Sequence, residues 1–141
     1  GVCDINFDPK DPNLFVTGSY DDNIRLWDIR KLQPMAEKNL GGGVWRARFD
    51  PYGKELIGCA TMYNNFQLLK VNPEGKFGSA FSCGSISLEL FSTECVQEYN
   101  AHKSLCYGID FQYYNAETGG PVSLATCSFY DNKLCLWEYS P

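Results

Sequence analysis

The side chains that could attack or activate a carbonyl group occur in two short polar turns and at the chain's single histidine. Ser19 and Asp21 stand in one turn, Ser128 and Asp131 in another, and His102 lies between them. A hydroxyl or a water molecule that a carboxylate or imidazole activates can attack a carbonyl carbon. No Gly-x-Ser-x-Gly motif marks a nucleophile, and no Ser–His–Asp order can be assigned. Because these residue types also hydrogen bond within turns, catalytic and structural roles stay open for all five.

A second group of residues suits a cationic ligand. Aromatic faces bind a quaternary ammonium group, which cannot donate hydrogen bonds, and glycines let a backbone approach a ligand closely. The run Gly41-Gly42-Gly43 precedes Trp45 and Arg46. Trp45 could equally pack between sheets, and Arg46 could pair with a carboxylate of the protein. The candidate binding residues are Tyr20, Trp45, Arg46, Tyr107, Phe129 and Tyr130.

Composition argues against several classes of protein. Of 141 residues, 44% are hydrophobic and 15% aromatic, which is typical of a packed globular domain. A net charge of −5 gives no bulk attraction to nucleic acid or anionic lipid, and the apolar runs are too short to span a membrane. Seven cysteines without a C-x-x-C pair, and one histidine, provide no zinc-finger spacing. We expect no metal, no cofactor, no nucleic acid and no membrane, and reduced thiols in a cytoplasmic protein.

Short alternating strands and polar turns recur along the chain. The stretch Val2–Phe7 ends at Asp8-Pro9, and the stretch Val44–Phe49 ends at Asp50-Pro51, 42 residues later. A third copy begins at Leu105 and contains a longer loop. No segment shows the apolar spacing of a helix. Four short strands in every repeat of about 40 to 45 residues are the signature of a propeller blade.

The motifs within these copies resemble those of the WD-repeat family. Thr17-Gly18-Ser19-x-Asp21 and Ile24-Arg25-Leu26-Trp27-Asp28 follow its pattern, and the third copy is complete. In that family a histidine, a serine or threonine, an aspartate and a tryptophan form a buried hydrogen-bonded tetrad. The second copy has Leu69 at the tryptophan position, so we expect apolar packing to hold that blade. The resemblance implies a tetrad at His102, Thr126, Asp131 and Trp137, and a partial one at Thr17, Asp21 and Trp27.

The predicted fold is all-β, a WD-repeat β-propeller with about three blades of an incomplete, seven-bladed molecule. The first blade spans residues 1–40 with strands a to d. The second has strands a to c in 41–71, an insertion between c and d in 72–92, and strand d in 93–99. The third spans 100–141 with strands a to c and no strand d. In closed propellers that strand usually comes from the chain's own N-terminus, so we expect the sequence to be a piece of a longer protein.

Some stretches are more particular than the generic WD motifs. Val16–Asp28, Gly42–Arg46, Ser104–Phe111 and Leu124–Glu138 resemble one subfamily, the diphthine methyl ester hydrolases of diphthamide biosynthesis. The resemblance implies a carboxylic ester hydrolase whose partner is elongation factor two carrying methylated diphthine. It also implies a cytoplasmic protein that is monomeric at full length. The substrate carries a trimethylammonium group beside its ester, and we expect Trp45, Tyr107 and Tyr130 to form a cage for that cation.

The alternative is a non-catalytic WD-repeat scaffold that docks partner peptides, because fold alone does not imply an enzyme. In this topology the d–a loops and the b–c turns share one end of the blades, which we call the top face. The insertions 72–92 and 112–121 share the opposite end. All candidate site residues fall on the top face. A deep aromatic pocket there would favour the esterase, and a shallow charged one would favour the scaffold.

Overall fold

The computed structural model describes residues 1–53, 55–71, 93–113 and 120–140, with the side chains of residues 93 and 94 left out. The described part contains no helix, and hence none long and apolar enough to cross a membrane. The expected insertion at 72–92 and most of the loop at 112–121 lie outside these residues. Eleven strands occur in the described ranges: β1 Val2–Phe7, β2 Leu14–Ser19, β3 Asn23–Asp28, β4 Pro34–Asn39, β5 Val44–Phe49, β6 Leu56–Thr61, β7 Phe66–Val71, β8 Thr93–Tyr99, β9 Cys106–Phe111, β10 Val122–Ser128 and β11 Leu134–Tyr139.

The strands form three separate antiparallel sheets, each built from consecutive hairpins. The strand orders are β1-β2-β3-β4, β5-β6-β7-β8 and β9-β10-β11. We call these sheets the first, second and third blade, and their strands a to d in chain order. Tight polar turns join the strands, and Asp22, Asn65 and Asn132 adopt the left-handed conformation in the b–c turns, which asparagine and aspartate tolerate best. The predicted all-β blade architecture is confirmed.

The hydrophobic core lies between the blades. One buried cluster joins the first and second blades through residues such as Val16, Val44 and Leu69. Another joins the second and third through Phe66, Leu68, Ile109 and others. The second blade is thus covered on both faces, and Leu56 to Thr61 are all buried. This double burial explains why β6 reads as a continuous apolar run instead of an alternating one.

The innermost strands of the first two blades are joined by side chains. Asp4 on β1 accepts a hydrogen bond from the backbone N–H of Ala47 at 2.9 Å, and Asn6 accepts one from Phe49 at 3.0 Å. The Arg48 guanidinium also pairs with Asp4 at 2.6 Å. These bonds occupy N–H groups on the open edge of β5, which would otherwise be left without partners.

A different polar network holds the second blade, in which the tetrad motif is degenerate. The Gln67 side chain donates to the Leu40 carbonyl at 2.9 Å, and the Asn64 amide donates to the same oxygen at 2.6 Å. The Thr61 hydroxyl donates to carbonyl oxygens of its own turn. Leu69, at the tryptophan position, is buried in the apolar cluster between the first and second blades, as expected, and these polar contacts add to that packing. Two amides at new positions secure the loop between β4 and β5.

Gly18 lies where the backbone of the second blade packs closely against the first blade. A Cβ atom at this position would lie 2.6 Å from the carbonyl oxygen of Val44, which is backbone and cannot move aside. We expect Gly18→Ala to destabilise the full-length protein by about 1–3 kcal/mol in urea denaturation. Gly58→Ala is the matched control, because its Cβ would meet side chains and no backbone atom, namely Ile109 at 3.0 Å and the Phe111 ring at 3.3 Å. Equal losses in the two variants would contradict this explanation.

Candidate functional site

Strand a of each blade contains a β-bulge at the same position. The bulge leaves one extra residue on that strand, opposite the pair formed with strand b. In the second blade Val44 pairs with Thr61 and Arg46 with Ala60, which leaves Trp45 as the extra residue. In the third blade Tyr107 is the extra residue between Cys106 and Gly108. Bulges often lie beside functional sites because they redirect side chains. The equivalent residue of the first blade is Cys3, so only the second and third blades present an aromatic ring there.

The rings of five aromatic residues form a continuous row across the top face. Tyr20 meets Trp45 edge-on at a centroid distance of 5.5 Å, and Trp45 meets Tyr107 at 5.1 Å. The row continues with Phe129, whose ring centroid lies 5.7 Å from that of Tyr107. It ends with Tyr130, whose ring centroid lies 4.9 Å from that of Phe129. Tyr20, Phe129 and Tyr130 are each more than half exposed. We call these five residues the aromatic row. Open ring faces of this kind can receive a cation.

The expected cage of Trp45, Tyr107 and Tyr130 differs from the observed arrangement. Tyr130 is separated from Trp45 by the rings of Tyr107 and Phe129. Tyr20, from the first blade, is instead the second neighbour of Trp45. Phe129 and Tyr130 both lie in the b–c turn of the third blade, where Phe129 stands between Tyr107 and Tyr130. The compact part of the row is therefore Tyr20, Trp45 and Tyr107.

A cleft of about 460 Å³ opens on the same face between the second and third blades. Its walls combine apolar residues with an amide, a hydroxyl and an amine, so the cleft is neither purely aromatic nor purely charged. Sequence reasoning did not select most of these residues, because the b–c turn of the second blade departs from the repeat motif. The lining residues are Met62, Tyr63, Asn65, His102, Lys103, Ser104, Leu105 and Cys106.

The glycines before Trp45 have a packing role. A Cβ atom on Gly42 would lie 3.1 Å from the backbone nitrogen of Asn64, and one on Gly43 would lie 3.1 Å from the Met62 sulfur. Gly41 adopts a positive φ of 74°, a conformation that glycine enters at no steric cost. These residues let the d–a loop pack on the turn beside it. The space expected for a ligand is thus filled by the protein's own turn.

His102 lies buried between Thr126 and Asp131. Its Nε2 is 3.1 Å from the Thr126 hydroxyl, and its Nδ1 is 3.5 Å from an Asp131 carboxylate oxygen. The ring packs at 5.1 Å from Phe66, inside the cluster between the second and third blades. Its side chain has no exposed surface. This geometry orders the third blade and leaves the imidazole without a direct route to an external ester.

Asp131 is held as a charged turn residue. Its carboxylate accepts hydrogen bonds from the backbone N–H groups of Lys103 at 2.8 Å and Lys133 at 3.0 Å. Partial burial acts to raise the pKa of Asp131, but these bonds and the nearby His102 outweigh it, so the pKa lies below its usual value. A carboxylate stabilised in this way is a weak base.

Two of the expected tetrad contacts differ from the structure. The Trp27 indole donates to Thr17 at 2.9 Å, but the Trp137 indole N–H is buried and has no acceptor within the described ranges. The Trp137 ring stacks on Tyr99 of the second blade, with a distance of 5.0 Å between ring centroids and an angle of 2° between ring planes. This inter-blade stacking replaces the expected bond to Thr126. Asp21 does not join the Thr17–Trp27 pair. It is exposed and forms an ion pair with Arg25 at 3.0 Å.

The two candidate serines, and the cysteine that lines the cleft, have dissimilar surroundings. Ser19 donates to the Gly1 carbonyl at 3.2 Å and accepts from the Asp21 N–H at 3.4 Å. The Ser128 hydroxyl is buried, and its interaction with the Asp131 carboxylate helps to lower the pKa of Asp131. Burial raises the pKa of the Cys106 thiol in the cleft to about 11, so the thiol stays protonated at neutral pH. Neither serine contacts His102, and the nucleophile stays a prediction.

The described residues contain no group of three or more histidine, cysteine, aspartate or glutamate side chains that could hold a metal ion. Arg46, half-buried beside Trp45, has a buried Nε that makes no hydrogen bond to any described residue. The top face therefore presents aromatic rings, the Arg46 guanidinium and a polar cleft that begins at the start of β9. These groups suit a ligand that is cationic at one point and rich in oxygen at another.

Antiparallel sheets that pack face to face, with their first strands side by side, define the blades of a β-propeller. The WD domain, G-beta repeat family matches residues 1–28 and 93–138. The chain belongs to this family.

Three curated proteins show the relationship over most of the chain. The "Diphthine methyltransferase homolog" of Dictyostelium discoideum is 36% identical over 97% of this chain. The "Diphthine methyltransferase" of Saccharomyces cerevisiae is 34% identical over 94%, and that of Homo sapiens is 32% identical over 80%. The matched regions cover 35%, 34% and 23% of those three proteins. The chain thus spans about a third or less of the relatives it matches.

Proposed function

We propose that the protein containing this chain hydrolyses the methyl ester of diphthine on elongation factor two, a step of diphthamide biosynthesis. The observation that carries the proposal is the aromatic row, whose compact part is Tyr20, Trp45 and Tyr107. A trimethylammonium group needs ring faces because it offers no hydrogen-bond donor. The relatives named for diphthine support the same substrate. The proposal also places the protein in the cytoplasm, as a monomer at full length.

The reaction consumes one water molecule. Water adds to the ester carbonyl, the bond from the carbonyl carbon to the methoxy oxygen breaks, and methanol leaves with one proton. The carboxylate stays on the factor and the second proton passes to solvent. No oxidant, reductant or methyl donor is needed. Hydrogen-bond donors that meet the developing negative charge on the carbonyl oxygen would lower the barrier.

The relatives carry the name methyltransferase, so the test must separate hydrolysis from transfer. Elongation factor two whose ester methyl is isotopically labelled is incubated with the full-length protein, without any methyl donor. Hydrolysis predicts labelled methanol in stoichiometric amounts and loss of the ester from the factor. If methyl groups are added to unmethylated factor only when a donor is supplied, and no methanol forms, the protein is a transferase and the proposal is wrong.

A scaffold is the second candidate function, and the exposure of Tyr20, Phe129 and Tyr130 favours it. Exposed aromatic side chains commonly anchor peptides at interaction surfaces. A pull-down with methylated and unmethylated factor separates the two functions. Equal binding of both forms, together with no release of methanol, would support the scaffold.

A further inference from the structure

Arg46 differs from the other arginines of the chain in having no anionic partner among the residues that the structure describes. Its guanidinium makes no ion pair and donates no hydrogen bond to any residue that the structure describes, and its Nε is shielded from solvent. A shielded donor without an acceptor costs free energy until a ligand satisfies it. The other three form ion pairs of 2.6–3.0 Å, namely Arg25 with Asp21 and Glu37, Arg30 with Asp28, and Arg48 with Asp4.

The bulge in β5 puts Arg46 on the same side of the strand as Trp45. Val44 and Ala47 both belong to the buried cluster between the first and second blades. In a regular strand, residues three apart face opposite ways. Since Val44 and Ala47 face the same way, the two residues between them both face away from that cluster. An indole and a guanidinium therefore stand side by side on the top-face end of the strand.

The repeat shows which contact Arg46 lacks. Arg46 is equivalent to Asp4 of the first blade, and Asp110 is equivalent to Arg48 of the second, from their positions around the bulges. Asp4 and Arg48 join the first two blades. The corresponding pair, Arg46 with Asp110, has the charges exchanged and is not formed. Asp110 is exposed, and its carboxylate accepts from the Phe111 N–H at 2.9 Å.

We propose that Trp45 and Arg46 together recognise a carboxylate that carries a neighbouring trimethylammonium group, a betaine. The indole would face the cation, and the guanidinium would hold both carboxylate oxygens through parallel hydrogen bonds. The inference rests on the proposed function for its substrate. It adds that the site binds the hydrolysed product, a zwitterion with a free carboxylate, more tightly than the methyl ester, which keeps the cation but has no carboxylate charge. The product should then inhibit turnover by occupying the site.

The test measures binding of three small probes to the full-length protein by isothermal titration. Glycine betaine has both groups, its methyl ester has the cation with an uncharged carbonyl, and choline has the cation alone. We expect glycine betaine to bind most tightly. Because charge-assisted hydrogen bonds are about twice as strong as neutral ones, Arg46→Gln should weaken betaine binding about tenfold. Its effect on choline binding should stay within about twofold.

Two matched variants control for changes in the fold. Arg48→Gln removes a guanidinium two residues away on the same strand, one that already pairs with Asp4, and should leave the preference for betaine intact. Asp110→Asn should also leave it intact. If Asp110→Asn and Arg46→Gln instead destabilised the protein equally in urea and neither changed probe binding, Arg46 would be part of an inter-blade pair and the inference would be wrong.

Other outcomes also decide the question. Three outcomes would each overturn the inference. Betaine and its methyl ester could bind with equal affinity, Arg46→Gln could weaken the binding of all three probes equally, or none of the probes could bind. Methanol release without a preference for the carboxylate would refute this inference and leave the proposed function standing. A preference for the carboxylate that depends on Arg46, with no methanol release, would refute the proposed function alone.

Discussion

Trp45→Ala is expected to lower kcat/KM for the methylated factor by about tenfold, since a desolvated cation–π contact is worth up to about 2 kcal/mol and each 1.4 kcal/mol is a factor of ten. The Trp45 ring packs against those of Tyr20 and Tyr107, with centroid distances of 5.5 and 5.1 Å. Its removal therefore opens the centre of the aromatic row. Steady-state methanol release from the labelled factor is the measurement.

A simple methyl ester without a quaternary amine is the control substrate, because its turnover should not depend on the ring. Trp45→Phe is the matched variant and should retain part of the activity, since a smaller ring still offers a face to the cation. Equal losses on both esters would indicate a packing defect. No loss on either would remove Trp45 from the site and make it an inter-blade packing residue.

Trp137→Ala is expected to have the largest effect on stability, costing about 3–5 kcal/mol of unfolding free energy. The side chain is 7% exposed and stacks on Tyr99 across the junction between the second and third blades. Its removal leaves a cavity at an interface that Phe66 and Leu68 also build. Urea denaturation of the full-length protein gives the change, and methanol release per folded molecule should be unchanged.

Phenylalanine substitutions test why the two tryptophans differ. Trp137→Phe should cost clearly less than Trp137→Ala, because the indole N–H has no acceptor to lose. Trp27→Phe removes the hydrogen bond from the indole to the Thr17 hydroxyl. Because Thr17 is only 6% exposed, its hydroxyl is then left buried without that partner, which costs stability. A variant of Trp137 that unfolds like the parent protein yet loses turnover would place that tryptophan in the active site.

The blade pattern was readable from sequence because it depends on local chemistry. Alternating strands, Asp-Pro turns and a repeat offset of 42 residues predicted the sheets of the first two blades. Tetrad contacts were predicted less well. Thr126 does lie beside His102, but Asp21 pairs with Arg25 and Trp137 stacks on Tyr99. Both choices depend on partners from other strands, which spacing within one copy does not reveal.

By itself, the sequence determined that the chain is all-β, that its strands form repeated hairpins, and that the candidate binding aromatics Tyr20, Trp45, Tyr107, Phe129 and Tyr130 belong to the d–a and b–c segments. Strand periodicity and turn residues act over a few positions, so they are visible in the order of residues. Only the tertiary structure decided which rings touch and which charge lacks a partner. Register and bulges arise from pairing between strands, and one extra residue on β5 places Trp45 and Arg46 together on one side.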